Sequence, residues 1–219
     1  MGVSQAGIAF APKENMEDIS SIASKLCGEP VKQIEHPDVG QFDTRNRSDV
    51  MVQFFEKSCF ICNDSLAWDF LEKPKSNITR THLSLGSPEF FLIFCRYDSG
   101  DSYGYAFVEN GSITRSRLQT NCQPRLPPLI EYGERKDIEH RWLAADHFIE
   151  EDDCPIEERQ KIFYLGNREI MVPEHFLTSQ ILDEILLEKF GACPWSTGIE
   201  HSYKFFRREE RNKPWWKVF

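Results

Sequence analysis

No run of apolar residues in this sequence comes near the roughly 18 that a membrane-crossing helix needs. Nor does it contain a GxSxG nucleophile elbow, a GxxxxGK[ST] phosphate loop, a GxGxxG dinucleotide fingerprint, a zinc-binding HExxH or a Ca²⁺-loop pattern. The reaction classes that announce themselves by a short motif are therefore not indicated, and the expected cofactor set is empty. A disulfide framework is lacking too. The seven cysteines, at 27, 59, 62, 95, 122, 154 and 193, are odd in number and scattered, which predicts reduced thiols. Residues 1–11 have no basic stretch, and Glu14, Glu17 and Asp18 follow too soon for a secretory signal. The expected location is cytoplasmic, so the sequons at Asn77 and Asn110 are accidental. Gly2 lacks the Ser or Thr at position 6 that myristoylation requires, since Ala6 stands there. There are no internal repeats or low-complexity tracts.

What is present is a chain of 219 residues, 40 % of them hydrophobic and 17 of them Phe. It is long enough to bury a core without staples, and aromatic packing should dominate that core. The net charge is −9, which argues against a nucleic-acid partner because phosphate neutralisation supplies most of that affinity. The charge is polarised. Residues 131–160 carry eleven acids against four bases, and residues 201–219 carry six bases against two acids. An aromatic and basic tail over 196–219, docked on a single domain over 1–195, is the expected organisation. The tail is expected to meet the acidic stretch in the same chain or in a dimer mate.

The pattern predicts an α+β fold on a mainly antiparallel sheet. Residues 2–12 alternate as a first strand. Hairpins are expected near 51–62, 90–119 and 162–172. The strongest signal is Asn110-Gly111, whose two residues tolerate the positive φ of a type I′ turn. Helices are expected near 15–27, capped by Asn15 and closed by Gly28, and near 179–190, capped by Thr178 or Ser179 and closed by Gly191. A short helix opened by Asp64 or Ser65 ends at Pro74, and Pro155 can open another.

The run Ser102-Tyr103-Gly104-Tyr105-Ala106-Phe107-Val108-Glu109-Asn110-Gly111-Ser112-Ile113-Thr114-Arg115-Ser116 stands out. With it go a Met-Gly first strand, the set Gly133, Glu139 and Trp142, and a helix ending in Phe190-Gly191. Together these resemble a bacterial family defined as a domain of unknown function. The likeness covers about residues 1–195. It implies the fold and carries over no activity and no site.

Candidate chemistry is sparse. Cys59-Phe60-Ile61-Cys62 has CxxC spacing, but it reads as strand, where i and i+3 face opposite ways. A metal site would draw on His140, Asp146, His147, Asp152, Asp153 and Cys154, with the two histidines sharing a face if the stretch were helical. Arg115 and Arg117 share one face of a strand, so they either clamp a carboxylate or phosphate, or pair with acids on a solvated surface. The polar-site candidates are Arg115, Arg117, His140, Trp142 and His147. No metal or other cofactor is expected. The favoured function is a non-enzymatic cytosolic interaction protein, in one version of immunity type, with a protein partner at the acidic 131–160 region. No nucleic acid or membrane is expected, and a homodimer is left open. The alternative is an enzyme with a dispersed His/Asp/Arg cleft.

Overall fold

In the computed structural model the described residues are 2–12, 18–35, 37, 40–120, 126–151, 155, 159–196, 198 and 200–209. β5 (Phe90–Tyr97), β6 (Ser102–Glu109) and β7 (Ser112–Thr120) form the expected antiparallel meander. Asn110 at φ 49° and Gly111 at φ 77° close its second turn, both in the left-handed region that a type I′ turn demands. β3 (Asp49–Phe54) and β4 (Cys59–Cys62) pair as the hairpin expected near 51–62. β1 (Ser4–Phe10) joins that hairpin to the meander by pairing with both β4 and β5.

Three further strands complete the sheet: β2 (Val31–Ile34), β8 (Leu129–Gly133) and β12 (Ser202–Arg208). The strand order is β2-β12-β3-β4-β1-β5-β6-β7-β8, antiparallel throughout. β12 therefore lies inside the sheet, with Phe206 fully buried between β2 and β3. Residues 202–208 thus sit in the sheet and not on the acidic stretch of the same chain, while residues 210–219 of the basic segment lie outside the described residues. Residues 202–208 pair with the strands at one side of the sheet, whereas β8 is the outer strand of the other. Backbone pairing and Phe206 outweigh the charge map, because exposed ion pairs contribute only ~0–1 kcal/mol each. Trp215, Trp216 and Phe219 fall outside the described residues.

The hairpin near 162–172 exists as β10 (Lys161–Leu165) and β11 (Ile170–Pro173), but it belongs to a separate three-stranded sheet with β9 (His147–Ile149), in the order β11-β10-β9. Its turn spans residues 166–169, with Gly166 and Arg168 both at positive φ.

Helices cover both faces of the large sheet. α1 (Ile19–Cys27) presents Ile19, Ile22 and Ala23 to the core and ends on Gly28 at φ 74°. Asp18 holds its N-cap position, and the expected cap, Asn15, lies outside the described residues. The short helical segment after β4 is a 3₁₀ turn followed by α2 (Trp68–Glu72). Asn63 caps it, its side chain accepting from Ser65 N at 3.0 Å, in place of Asp64 or Ser65. α3 (Thr79–Ser84) and α4 (Asp137–Leu143) follow. α5 (Leu177–Phe190) starts two residues earlier than the expected 179, after a 3₁₀ turn over Glu174–Phe176. Thr178 and Ser179 are not caps but buried residues of its first turn, because the polar groups of β7 need a partner there. Gly191 at φ 67° ends it as expected. The Pro155 helix expectation falls largely on residues outside those described.

One core lies under α1, α2 and α3, with Ala6, Ile8, Phe10, Val50, Val52, Ile61, Phe91 and Ile93 at its centre. The other lies under α5, where Ile181, Leu182, Ile185 and Leu186 meet Phe60, Leu92, Phe94 and Phe107. The CxxC pair is split between the two: Cys59 sits in the first core and Cys62 in the second, both as free thiols. Burial pushes the Cys59 thiol up to about 12 and that of Cys62 up as well, which holds both thiols protonated and unreactive.

Candidate functional site

The densest set of polar side chains lies on the α5 face of β7. A β-bulge at Thr114 sets its direction. Phe107 pairs with Arg115 but Val108 pairs with Ile113, so one β7 residue is left over. Ile113 then joins the α1-side core, while Arg115, Arg117 and Gln119 face α5 and α4. Without the bulge, period-two alternation would send Ile113 to the same face as the arginines.

Arg115 is 2 % exposed and is held by two carboxylates. Its Nε donates to Glu139 Oε1 and Oε2 at 2.9 and 3.1 Å, and its Nη2 lies 2.5 Å from Glu131 Oε1. Glu139, from α4, is fully buried. It also accepts from the Tyr105 hydroxyl at 2.6 Å and from Lys136 N at 2.6 Å. The last bond caps the first turn of α4. Arg117 shares Glu131 through Nη1 at 2.9 Å and donates from Nε to Thr178 Oγ1 at 2.9 Å. Thr178 donates to Gln119 Oε1 at 2.6 Å, and Gln119 Nε2 donates to Glu174 O at 2.9 Å. β6, β7, β8, α4 and α5 are thus tied through one chain of bonds. Close approach is part of the design. Gly133 lies opposite Arg115 at φ 74°, and a Cβ there would sit 2.0 Å from Thr114 O.

The electrostatics match the geometry. Burial alone would raise the Glu131 carboxyl, but the Arg115 and Arg117 guanidiniums outweigh it and hold it below the ordinary value. Burial works against the Arg115 charge, and Glu139 with Glu131 raises its pKa in spite of it. Burial, reinforced by Glu139, pushes the Tyr105 phenol well up, so it stays a hydrogen-bond donor.

No protein-family model, curated protein or solved structure matches this chain.

The five predicted site residues separate into three groups. Arg115 and Arg117 do share a face and do pair with acids. The face is buried rather than solvated, because α4 and α5 lie over it. The carboxylates they clamp belong to the protein itself. Trp142 is fully buried against α5, its Nε1 donating to Glu184 Oε1 at 2.7 Å, and it anchors α4. His140 and His147 are exposed. α4 ends at Leu143 and His147 opens β9, so the single helix that would align them is not formed. Asp152, Asp153 and Cys154 lie outside the described residues. Among the described residues no three His, Cys, Asp or Glu side chains gather as metal ligands. Glu131, Glu139, Tyr105, Gln119 and Thr178 were not legible as site members. Their signal is long-range, since 61 positions separate Arg117 from Thr178. Gly133 and Glu139 lie beside Arg115, and Trp142 anchors the same helix as Glu139.

Two open features adjoin this network. A cleft of about 470 Å³ is lined by Arg117, Gln119, Leu129, Gln160, Glu174 and His175, at the outer end of the bond chain. Beyond it, the surface from β8 to β9 exposes Glu134, Asp137, Asp146, Glu150 and Glu151. A second ionic cluster fastens α5 to β5. Arg96 Nη1 donates to both carboxylate oxygens of Asp183 at 2.9 Å and its Nε to Asp98 at 3.0 Å, beneath the Trp195 ring.

Proposed function

We propose that the protein is a non-enzymatic interaction protein whose partner, a protein, docks on the acidic surface between β8 and β9. The observation that carries this reading is the mutual pairing of the polar side chains on the α5 face of β7. Arg115, Arg117, Glu131, Glu139, Thr178 and Gln119 bond to one another, so the densest polar set among the described residues has a structural assignment. Outside it, among the described residues of 134–151, five exposed acids outnumber the exposed bases Arg135 and Arg141. Such a surface raises the association rate of a basic partner and selects against acidic ones. An immunity-type protein that neutralises a basic toxin in the cytoplasm is the concrete version of this reading.

Co-expression with the products of flanking genes, followed by size-exclusion chromatography, tests it. A stoichiometric complex should form and should be lost when Glu134, Asp137, Asp146, Glu150 and Glu151 are replaced by Lys. In the immunity version, the wild-type protein restores growth to cells making the partner and the substituted one does not. A complex indifferent to the five substitutions would sink the acidic-surface reading. A second reading, an enzyme working from the cleft, is favoured by the meeting of Arg117, Glu174 and His175 on its walls. It predicts small-molecule binding, seen by ligand-observed NMR, that His175→Ala abolishes.

A further inference from the structure

We propose that the partner docks by strand addition: an extended, lysine- or arginine-bearing segment pairs with the free edge of β8. This rests on the interaction reading above and specifies its mode. Among the described residues β8 is the outer strand of the nine-stranded sheet and pairs with β7 alone. The bond from Thr120 N to Pro128 O fixes which of its backbone groups point which way. In an antiparallel ladder the bonded pairs alternate, so 128, 130 and 132 face β7 while Leu129 and Glu131 turn their N–H and C=O outward. Among the described residues no hydrogen bond reaches those four groups.

Edge strands are commonly blunted by brevity, lysine or proline. The opposite edge, β2, has four residues and carries Lys32, and β9 and β11 of the small sheet have three and four residues. β8 has five residues, Leu-Ile-Glu-Tyr-Gly, with neither Lys nor Pro. Its one charge, Glu131, is taken up by Arg115 and Arg117 and so does not guard the edge. Leu129 stands 41 % exposed beside the cleft that Arg117, Gln119 and His175 line, a ready seat for one side chain of an added strand.

Charge decides the occupant. β8 runs into exposed Glu134 and Asp137 with Arg135 and Lys136 between them, and exposed Asp146, Glu150 and Glu151 tip the surface beyond it to acid. A second copy pairing edge to edge would bring these acids, and the acids of a chain at net −9, against their own images. Like charges placed opposite one another are destabilising. A basic strand meets the same surface favourably, with main-chain bonds supplying affinity and alternate side chains supplying selectivity.

The probe is the peptide acetyl-Lys-Val-Lys-Thr-Lys-Val-Lys-amide, titrated into the full ¹⁵N-labelled chain and read by amide exchange. Its Glu-for-Lys counterpart and a version with N-methylated backbone serve as comparisons. The Leu129 and Glu131 amides should gain protection with the basic peptide only. Leu129→Pro, which removes an outward N–H while leaving the β7 ladder intact, should weaken binding by roughly five- to tenfold, as should N-methylation. If the basic peptide shifts only residues 134–151 and N-methylation changes nothing, strand addition is overturned while the acidic-surface reading stands. If neither peptide binds, both are overturned. Protection of these amides at high protein concentration without peptide would assign the edge to a second copy instead.

Discussion

Glu139 receives hydrogen bonds from Tyr105, Arg115 and the start of its own helix, in a place with no access to water. Removing one partner of such a buried pair leaves an uncompensated charge. Glu139→Gln is therefore expected to cost roughly 3 kcal/mol or more in chemical denaturation. Replacing Arg115 and Glu139 together by Met and Leu should recover much of that loss, because well-packed apolar groups often equal a buried pair. The pH dependence follows from Glu131. Its folded pKa is lowered from 4.5, so its contribution to stability is complete above that value and is lost as pH falls through the lower folded one. Acid titration of the unfolding midpoint should show this loss, and Glu131→Gln should flatten it. Gly111→Val should destabilise by about 1 kcal/mol or more in the same assay. The position has φ 77°, and a Cβ there would meet the His82 ring at 2.7 Å.

α5 shows what a sequence can and cannot disclose about an element. Its apolar face and its glycine stop are local, and both are where the spacing put them. Its start is not local: Thr178 turns inward to bond Arg117 and Gln119, so a residue with capping chemistry is used for something else. Ile185, fully buried, is the point to probe. Ile185→Asp should cost on the order of 5 kcal/mol, close to the whole stability of a domain, and a melting curve near wild type would refute the burial. The bulge at Thr114 belongs to the same class of hidden fact. Arg115 and Arg117 are visibly two apart, but which side covers them depends on helices that arrive later in the chain. β2, β8 and α3 left no local signal, since each is four to six residues long and is held by its neighbours rather than by its own pattern.

At the scale of the molecule, the order of nine strands and the core under α1 depend on one late insertion. β12 bonds to β3 on one side and β2 on the other, and Arg207 reaches Asp49 at 2.7 Å across 158 positions. The strand over 202–208 is hard to read locally, because its alternation is broken by Phe205-Phe206 and Arg207-Arg208. Ending the chain after Glu200 should accordingly abolish cooperative unfolding or lower the melting temperature sharply, not merely expose a patch. A shortened protein that melts like the full one would show that β12 is dispensable.

The position of β12 also sets a clock. β2 and β3 leave the ribosome early, yet they are not paired with each other: β12, made much later, lies between them. At about 5–20 residues per second, the stretch from Phe54 to Ser202 takes on the order of 10–30 s to synthesise. Through that interval β3 presents an unfilled side to its surroundings or to any chaperone within reach. The nascent chain is then most vulnerable to strand capture by its neighbours on the same polysome, and slower translation should lower the yield of folded protein.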